Sequence, residues 1–307
     1  MIYIIKVSPT FIKIFFIIYV YIFKSRIKND EKRLLLYLFK INYALAAKYP
    51  KLWKFRPTAS YLGRLKTLVL SQCKSDFVKL DGRSMVLPPK EFLHLVFEHE
   101  GLDTKIVKKL VKRGDNALVL GANIGYWTCL LAELVGESGR VYAFEPSPNN
   151  FEFLKKNVEI NGYKNVIIEQ KAVSNRSYTT KLYLSEGGSM DNRIYKSHPN
   201  RKSVDVDVVK LDDYFKNTDI EFDFINSNIQ GADFAGIQGM QSLLQKSPNA
   251  KLIVEFSPDQ AKQFGSDPNE FIDTMAEQNF NFYEVWWYNK KIKPITIKKL
   301  KDYTKKT

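Results

Sequence analysis

The sequence predicts a doubly wound α/β fold built on a mainly parallel sheet. Three observations carry that expectation. From residue 116 onward, short and continuously apolar runs alternate with helical stretches, the pattern of strands buried on both faces. A glycine loop, LGANIGYW (120–127), separates the first such run from its helix. An acid, Glu145, closes the second run.

The elements follow in order. Residues 57–115 form a lead-in to this domain, which spans 116–290. Within it, 59–71 is helix-like and FVKLDGRSMVLP (77–88) predicts a hairpin turning at Asp81-Gly82. Helical stretches follow at 89–97 and 103–112. ALVL (117–120) is a strand and WTCLLAELV (127–135) its helix. VYAFE (141–145) is the second strand, and PNNFEFLKKNVEING (148–162) a helix that ends at Gly162. NVIIEQ (165–170) is the third. KAVSN, TKLYLS and VDVDVVKL (204–211) read as strand edges and a β insertion. DFINSN (223–228) and KLIVEF (251–256) are the fourth and fifth strands. A helix at 267–278 and the strand-like NFYEVWWY (281–288) close the series.

Charge is concentrated at the two ends. The net charge is +14. Residues 1–60 hold 12 Lys/Arg against Asp30 and Glu31, a net of +10, and the tail, 291–307, is rich in lysine. Such ends suit lipid headgroups or nucleic acid, and equally a solvated surface. The N-terminal extension, 1–56, contains ten apolar residues in a row, IFFIIYVYIF (14–23), followed by Lys24, Arg26 and Lys28. A spanning helix needs about 20. Three readings fit: a segment lying in a membrane interface, one that spans with residues 24–307 on the cytoplasmic side, and one packed on the protein. The expected location is cytoplasmic, free or anchored through that segment. Two cysteines, Cys73 and Cys129, suit a reducing compartment and make no disulfide framework. No His/Cys spacing predicts a metal, and there is no hydrolase nucleophile elbow.

At the tip of the first strand, Gly121 and Gly125 allow a tight turn and a close approach to a ligand. Glu145, at the tip of the second, is placed to accept hydrogen bonds from the hydroxyls of an adenosine ribose. The loop lacks the middle glycine that a dinucleotide's pyrophosphate requires. S-adenosylmethionine carries no phosphate and does not require it.

GANIGYWTCLLA, VYAFEPSPNNFEFLKKNVEING, KAVSN, VVKLDDYF, NIQGADFAGIQGM and KLIVEFSPDQ, in this order, resemble the FkbM family of S-adenosylmethionine-dependent methyltransferases. The resemblance implies a Rossmann-like seven-stranded sheet, here with an N-terminal helical extension. It implies methyl transfer, usually to a hydroxyl of a sugar, polysaccharide or secondary metabolite. By the same resemblance, Gly121, Asn123 and Gly125 line the methionine end of the cofactor and Glu145 holds its ribose. Ala122, Pro146 and Glu98 complete the expected cofactor set.

Two positions depart from the family pattern. An acid common two residues before the first glycine is replaced by Val119. The fourth strand tip, usually I-K-x-D-x-(E/Q)-G-A-E, reads Ile225, Asn226, Ser227, Asn228, Ile229, Gln230, Gly231, Ala232, Asp233. An amide at 228 cannot take a proton as a carboxylate can. Methyl transfer runs largely on positioning, and loss of a base costs about 10²–10⁴ in rate without abolishing it. The expected function is therefore an O-methyltransferase. The alternative is a catalytically impaired or non-catalytic relative that keeps the fold for binding.

Asn228 and Asp233 are the catalytic candidates on the strand tip, and His99 is a spare base ahead of the first strand. Glu255, at the fifth strand tip, faces the same edge. The loop Ser189–Met190–Asp191–Asn192–Arg193 is expected to touch the acceptor. The expected partners are a small-molecule or glycan acceptor and a membrane surface reached through 1–55. Nucleic acid is disfavoured, because no N/D-P-P-Y-type motif stands at the fourth strand.

Overall fold

The computed structural model describes residues 77–88, 102–185, 191–286 and 291–305. The extension 1–56, the helical stretches 59–71 and 89–97, and Glu98, His99, Ser189 and Met190 lie outside these residues.

The first strand of the sheet, β3 (Asn116–Leu120), is apolar on both faces because both are covered. Ala117 and Val119 enter one core layer; Leu118 and Leu120 enter the other, all fully buried. Burying each such side chain contributes roughly 1.5–3 kcal/mol. Parallel neighbours flank it: β4 (Arg140–Phe144) and β5 (Val166–Glu169) on one side, β9 (Phe224–Ser227) and β10 (Lys251–Val254) on the other. The spatial order is β10–β9–β3–β4–β5. Chain direction across the sheet reverses between β3 and β9, and in such sheets that point opens a ligand crevice beyond the carboxyl ends of the strands.

One face is covered by α1 (Leu102–Leu110), α2 (Tyr126–Val135), α3 (Pro148–Ile160) and the hairpin β1 (Val78–Leu80) and β2 (Arg83–Met85). The hairpin turns at Asp81 and Gly82, both at positive φ, as Asp-Gly predicts. The other face carries α4 (Leu211–Tyr214), α5 (Asp233–Gln238), α6 (Gln241–Lys246) and α8 (Pro268–Glu277).

Among the described residues the central sheet has five strands rather than seven. The expected β insertion forms a separate three-stranded sheet, ordered β6 (Ala172–Val173), β8 (Ser203–Val209), β7 (Tyr178–Tyr183). Of NFYEVWWY, β11 (Tyr283–Trp286) pairs antiparallel with β12 (Lys291–Pro294) and with no strand of the central sheet.

Besides the short α4 and α6, two further described helices escape the periodicity reading. α7 (Pro258–Phe264) is short, with its start marked by Ser257 and Pro258. α9 (Ile297–Thr304) lies in the lysine-rich tail. Thr296 caps α9 by accepting from the Lys299 N–H, and Glu284 accepts from Lys299 Nζ (2.7 Å) and the Tyr303 hydroxyl (2.9 Å). The charge that reads as solvated is thus partly committed to packing. Among the described residues no helix is long and apolar enough to cross a membrane.

Candidate functional site

Beyond Leu120 the chain enters its glycine loop with Gly121 at φ +78°, Asn123 at +50° and Gly125 at +95°. Glycine adopts this region freely and asparagine tolerates it. The loop is pinned to the next strand: the N–H groups of Gly121 and Ala122 both donate to the Phe144 carbonyl, at 3.0 and 2.9 Å. A side chain at Gly121 would collide with the Asn228 carbonyl, and one at Gly125 would come within 2.8 Å of Leu154.

Glu145 is 4% exposed and holds this loop. Its Oε2 accepts from the Asn123 N–H (2.7 Å). Its Oε1 accepts from the Ser147 N–H (3.0 Å) and from Asn150 Nδ2 (3.3 Å). The acceptor missing at Val119, which lies wholly in the apolar layer, has a counterpart here one strand away. A ribose hydroxyl would share oxygens already committed to the loop.

Asparagines of α3 were not singled out in the sequence. Asn150 and Asn157 are buried on the helix, and Asn161 follows its last residue. Their spacing of seven and four places them on one face. Asparagine is a poor helix former, so three polar residues at this spacing beside Leu154 and Val158 were the available signal. Asn157 Nδ2 donates to the Ile124 carbonyl of the loop at 2.7 Å.

The fourth strand tip separates its two candidates. Asn228 sits at the edge, with its N–H on the Leu120 carbonyl (3.0 Å) and its Oδ1 accepting from Gln230 Nε2 (2.6 Å). Gln230 Nε2 also reaches Glu255 Oε2 at 3.2 Å, so Asn228, Gln230 and Glu255 form one polar row. Asp233 turns inward. Its Oδ1 accepts from the Ser227 hydroxyl (2.7 Å) and the Ile229 N–H (3.1 Å), and its Oδ2 from the Gly231 N–H (3.2 Å). Burial pushes its pKa up to about 6, against the lowering effect of those hydrogen bonds. It holds the turn that presents Asn228 and does not line the pocket. Asn226, buried on the face shared with Phe224, has a side-chain Nδ2 without a hydrogen-bond partner.

A pocket opens between these tips. Gly121, Asn123, Glu145, Pro146 and Asn228 line it; Ala122, Gly125 and Asp233 stand behind it. Its apolar wall comes from Phe144, Val173, Leu182, Ile194 and Ile229. Asn150, Asn192 and Gln230 add amides to those of Asn123 and Asn228. Lys171, also in the wall, pairs with Glu169 at 3.0 Å, and Tyr214 donates to the same carboxylate at 2.9 Å. From the expected acceptor loop, Asn192 reaches the pocket, while Asp191 pairs with Arg193 and Arg201 beside it. An apolar wall, a buried acid and a glycine edge thus meet in one pocket. Among the described residues no group of three or more His, Cys, Asp or Glu is placed to hold a metal.

Residues 120–282 match the model of the methyltransferase FkbM domain. Shorter matches link the chain to protein-L-isoaspartate O-methyltransferases. That of Aeropyrum pernix is 46% identical over 54 residues, 18% of this chain and 21% of the relative. That of Ignicoccus hospitalis is 38% identical over 58 residues, 19% of this chain and 28% of the relative. The matches thus span well under a third of these relatives' length. Among solved structures, a SAM-dependent methyltransferase from Aquifex aeolicus is 18% identical, covering 61% of this chain and 84% of that one, with a TM-score of 0.36. Aeropyrum pernix fibrillarin with natively bound S-adenosyl-L-methionine is 13% identical, covering 60% and 66%, with a TM-score of 0.34.

Proposed function

Because the chain belongs to the family of FkbM-domain methyltransferases and S-adenosylmethionine is its methyl donor, we propose that it methylates a hydroxyl of a neutral, polyhydroxylated acceptor such as a sugar. The observation that carries this reading is the set of amides lining the pocket apart from the glycine loop and the partners of Glu145: Asn192, Asn228 and Gln230, with Glu145 the one carboxylate among its lining residues. An amide both donates and accepts, which matches a hydroxyl that does the same. A cationic acceptor would call for acids here and an anionic one for more than the single, paired Lys171.

Bound there, S-adenosylmethionine supplies a methyl group already activated by its sulfonium charge. The chain's own residues do the rest by placement. Glu145 holds the loop carrying Asn123, and Asp233 holds the turn carrying Asn228. The acceptor hydroxyl would give up its proton to water as it took the methyl group. Glu255, which accepts from Gln230 Nε2 at 3.2 Å, is the carboxylate of the polar row that carries Asn228. For residues 1–55 we propose the role of bringing this chemistry to a membrane-borne acceptor, on the strength of their apolar run and flanking lysines.

The test is transfer of radiolabelled methyl from S-adenosylmethionine to neutral oligosaccharides, acidic oligosaccharides, RNA and peptides in parallel. Label on neutral sugars is expected, and label only on RNA or peptide would overturn the acceptor class. A second reading, a binding protein with impaired turnover, is favoured by the neutral Asn228. A clear gain in transfer by Asn228→Asp would identify an impaired enzyme. Cofactor binding without transfer in either form would support the binding role.

A further inference from the structure

We infer that Asn157 is a positioning residue that locks the cofactor loop and the β1–β2 hairpin into one unit, so that cofactor affinity depends on a segment that never touches the cofactor pocket. The inference rests on the family's use of the loop as a cofactor site.

Asn157 is fully buried in the third turn of α3, and its amide makes three hydrogen bonds. Oδ1 accepts from the Val86 N–H at 2.6 Å; Nδ2 donates to the Val86 carbonyl at 3.1 Å and to the Ile124 carbonyl at 2.7 Å. The pairing with Val86 is that of a neighbouring peptide unit in a ladder, with one donor and one acceptor exchanged. One turn on, Asn161 repeats it on Ser84: Oδ1 accepts from the Ser84 N–H at 2.9 Å and Nδ2 donates to the Ser84 carbonyl at 2.6 Å. Two side chains at helical spacing thus cover the free edge of β2 at alternate residues, with the backbone groups of an exposed strand edge satisfied.

The two asparagines differ in one respect. Asn161 spends its remaining donor contact within its own helix, on the Asn157 carbonyl at 2.7 Å. Asn157 spends its own on Ile124, between Asn123 and Gly125 of the loop. The hairpin is also fastened to α2, the helix that leaves the loop, by Arg83. That side chain is 3% exposed and bonds Glu133 at 2.8 Å and Asp81 at 3.2 Å. Hairpin, α2, α3 and loop therefore share one network, and Asn157 is its direct bond to the loop. A buried amide whose partners lose it leaves the Ile124 carbonyl and both polar groups of Val86 unpaired.

The test compares Asn157→Ala with Asn161→Ala in the full-length chain. Both release the hairpin edge; only the first releases the loop. Titration calorimetry with S-adenosylhomocysteine should show at least a tenfold weaker Kd for Asn157→Ala and less than a twofold change for Asn161→Ala, although both lower Tm. Asn157→Gln, which keeps both polar atoms on a longer arm, should recover part of the affinity. Independently of any ligand, amide hydrogen exchange should rise at 121–126 in Asn157→Ala alone, and near 83–87 in both. Equal losses of affinity in the two alanine variants, or unchanged exchange at 121–126, would overturn the inference. Absence of binding by the wild type would instead count against the cofactor reading, and the exchange result would still decide the role of Asn157.

Discussion

Gly121 and Asn228 meet backbone to backbone across the point where the sheet reverses, so closely that the glycine has no room for a Cβ. The glycine loop and the tip of β9 therefore cannot move independently. Gly121→Ala adds a methyl group against that carbonyl at a φ of +78° that alanine disfavours. Binding of S-adenosylhomocysteine, measured by calorimetry, is expected to weaken at least tenfold while the far-ultraviolet spectrum stays native-like.

Glu145→Gln keeps the shape of the side chain and removes the charge from a group that accepts from two backbone N–H groups and Asn150. Hydrogen bonds to a charged partner are worth about 1.5–3 kcal/mol. A loss of that size weakens cofactor binding roughly 10- to 100-fold. Competition with S-adenosylhomocysteine in equilibrium dialysis checks it, and an unchanged Kd would remove Glu145 from the binding apparatus.

Asp233 makes stability depend on pH in an unusual direction. Burial raises its pKa in the folded state to about 6, above the ordinary 3.8. The folded chain thus holds this proton more tightly than the unfolded one. The contribution to stability is present below the unfolded value and is lost as pH rises through about 6. A shift of that size corresponds to about 3 kcal/mol. Relative to wild type, Asp233→Asn should therefore gain up to ~3 kcal/mol in unfolding free energy between pH 4 and pH 7, read from urea denaturation. A difference that stays flat with pH would show that the carboxyl titrates normally.

Cys129 is fully buried in α2, and burial pushes its thiol up to about 12. The thiolate is the reactive form. In a Cys73→Ser background the native chain should resist thiol reagents at pH 8 and react fully in denaturant. Rapid labelling without denaturant would show that α2 opens.

Asn226 has a buried Nδ2 with no partner, between Val119 and Ile253 of the flanking strands. Replacing an unsatisfied polar group by an apolar one of like shape is neutral or favourable, by about 1–3 kcal/mol at most. Asn226→Leu should leave Tm unchanged or raise it. A lowered Tm would mean that the amide is satisfied in solution.

Much of this molecule was legible in sequence because its signals are local. The five strands of the central sheet each coincide with a short apolar run, and the Asp81-Gly82 turn and the loop glycines are local backbone requirements. Glu145 and Asn228 were found because an acid and an amide at strand tips stand out in a row of apolar residues. The helix in the lysine-rich tail was hidden because its stabilising partners, Glu284 and Asp273, lie far back in the chain.

The sequence by itself determined the order of the central strands, the place of the glycine loop and the neutrality of the fourth strand tip. Periodicity, glycine and charge are properties that a chain carries before it folds. Only the tertiary structure decided that Asp233 faces inward to hold a turn, that Glu145 organises the loop as well as the pocket, and that Asn157 joins that loop to a hairpin 71 residues away in sequence. Those roles depend on which buried polar groups find one another, and that is settled by packing rather than by neighbours along the chain.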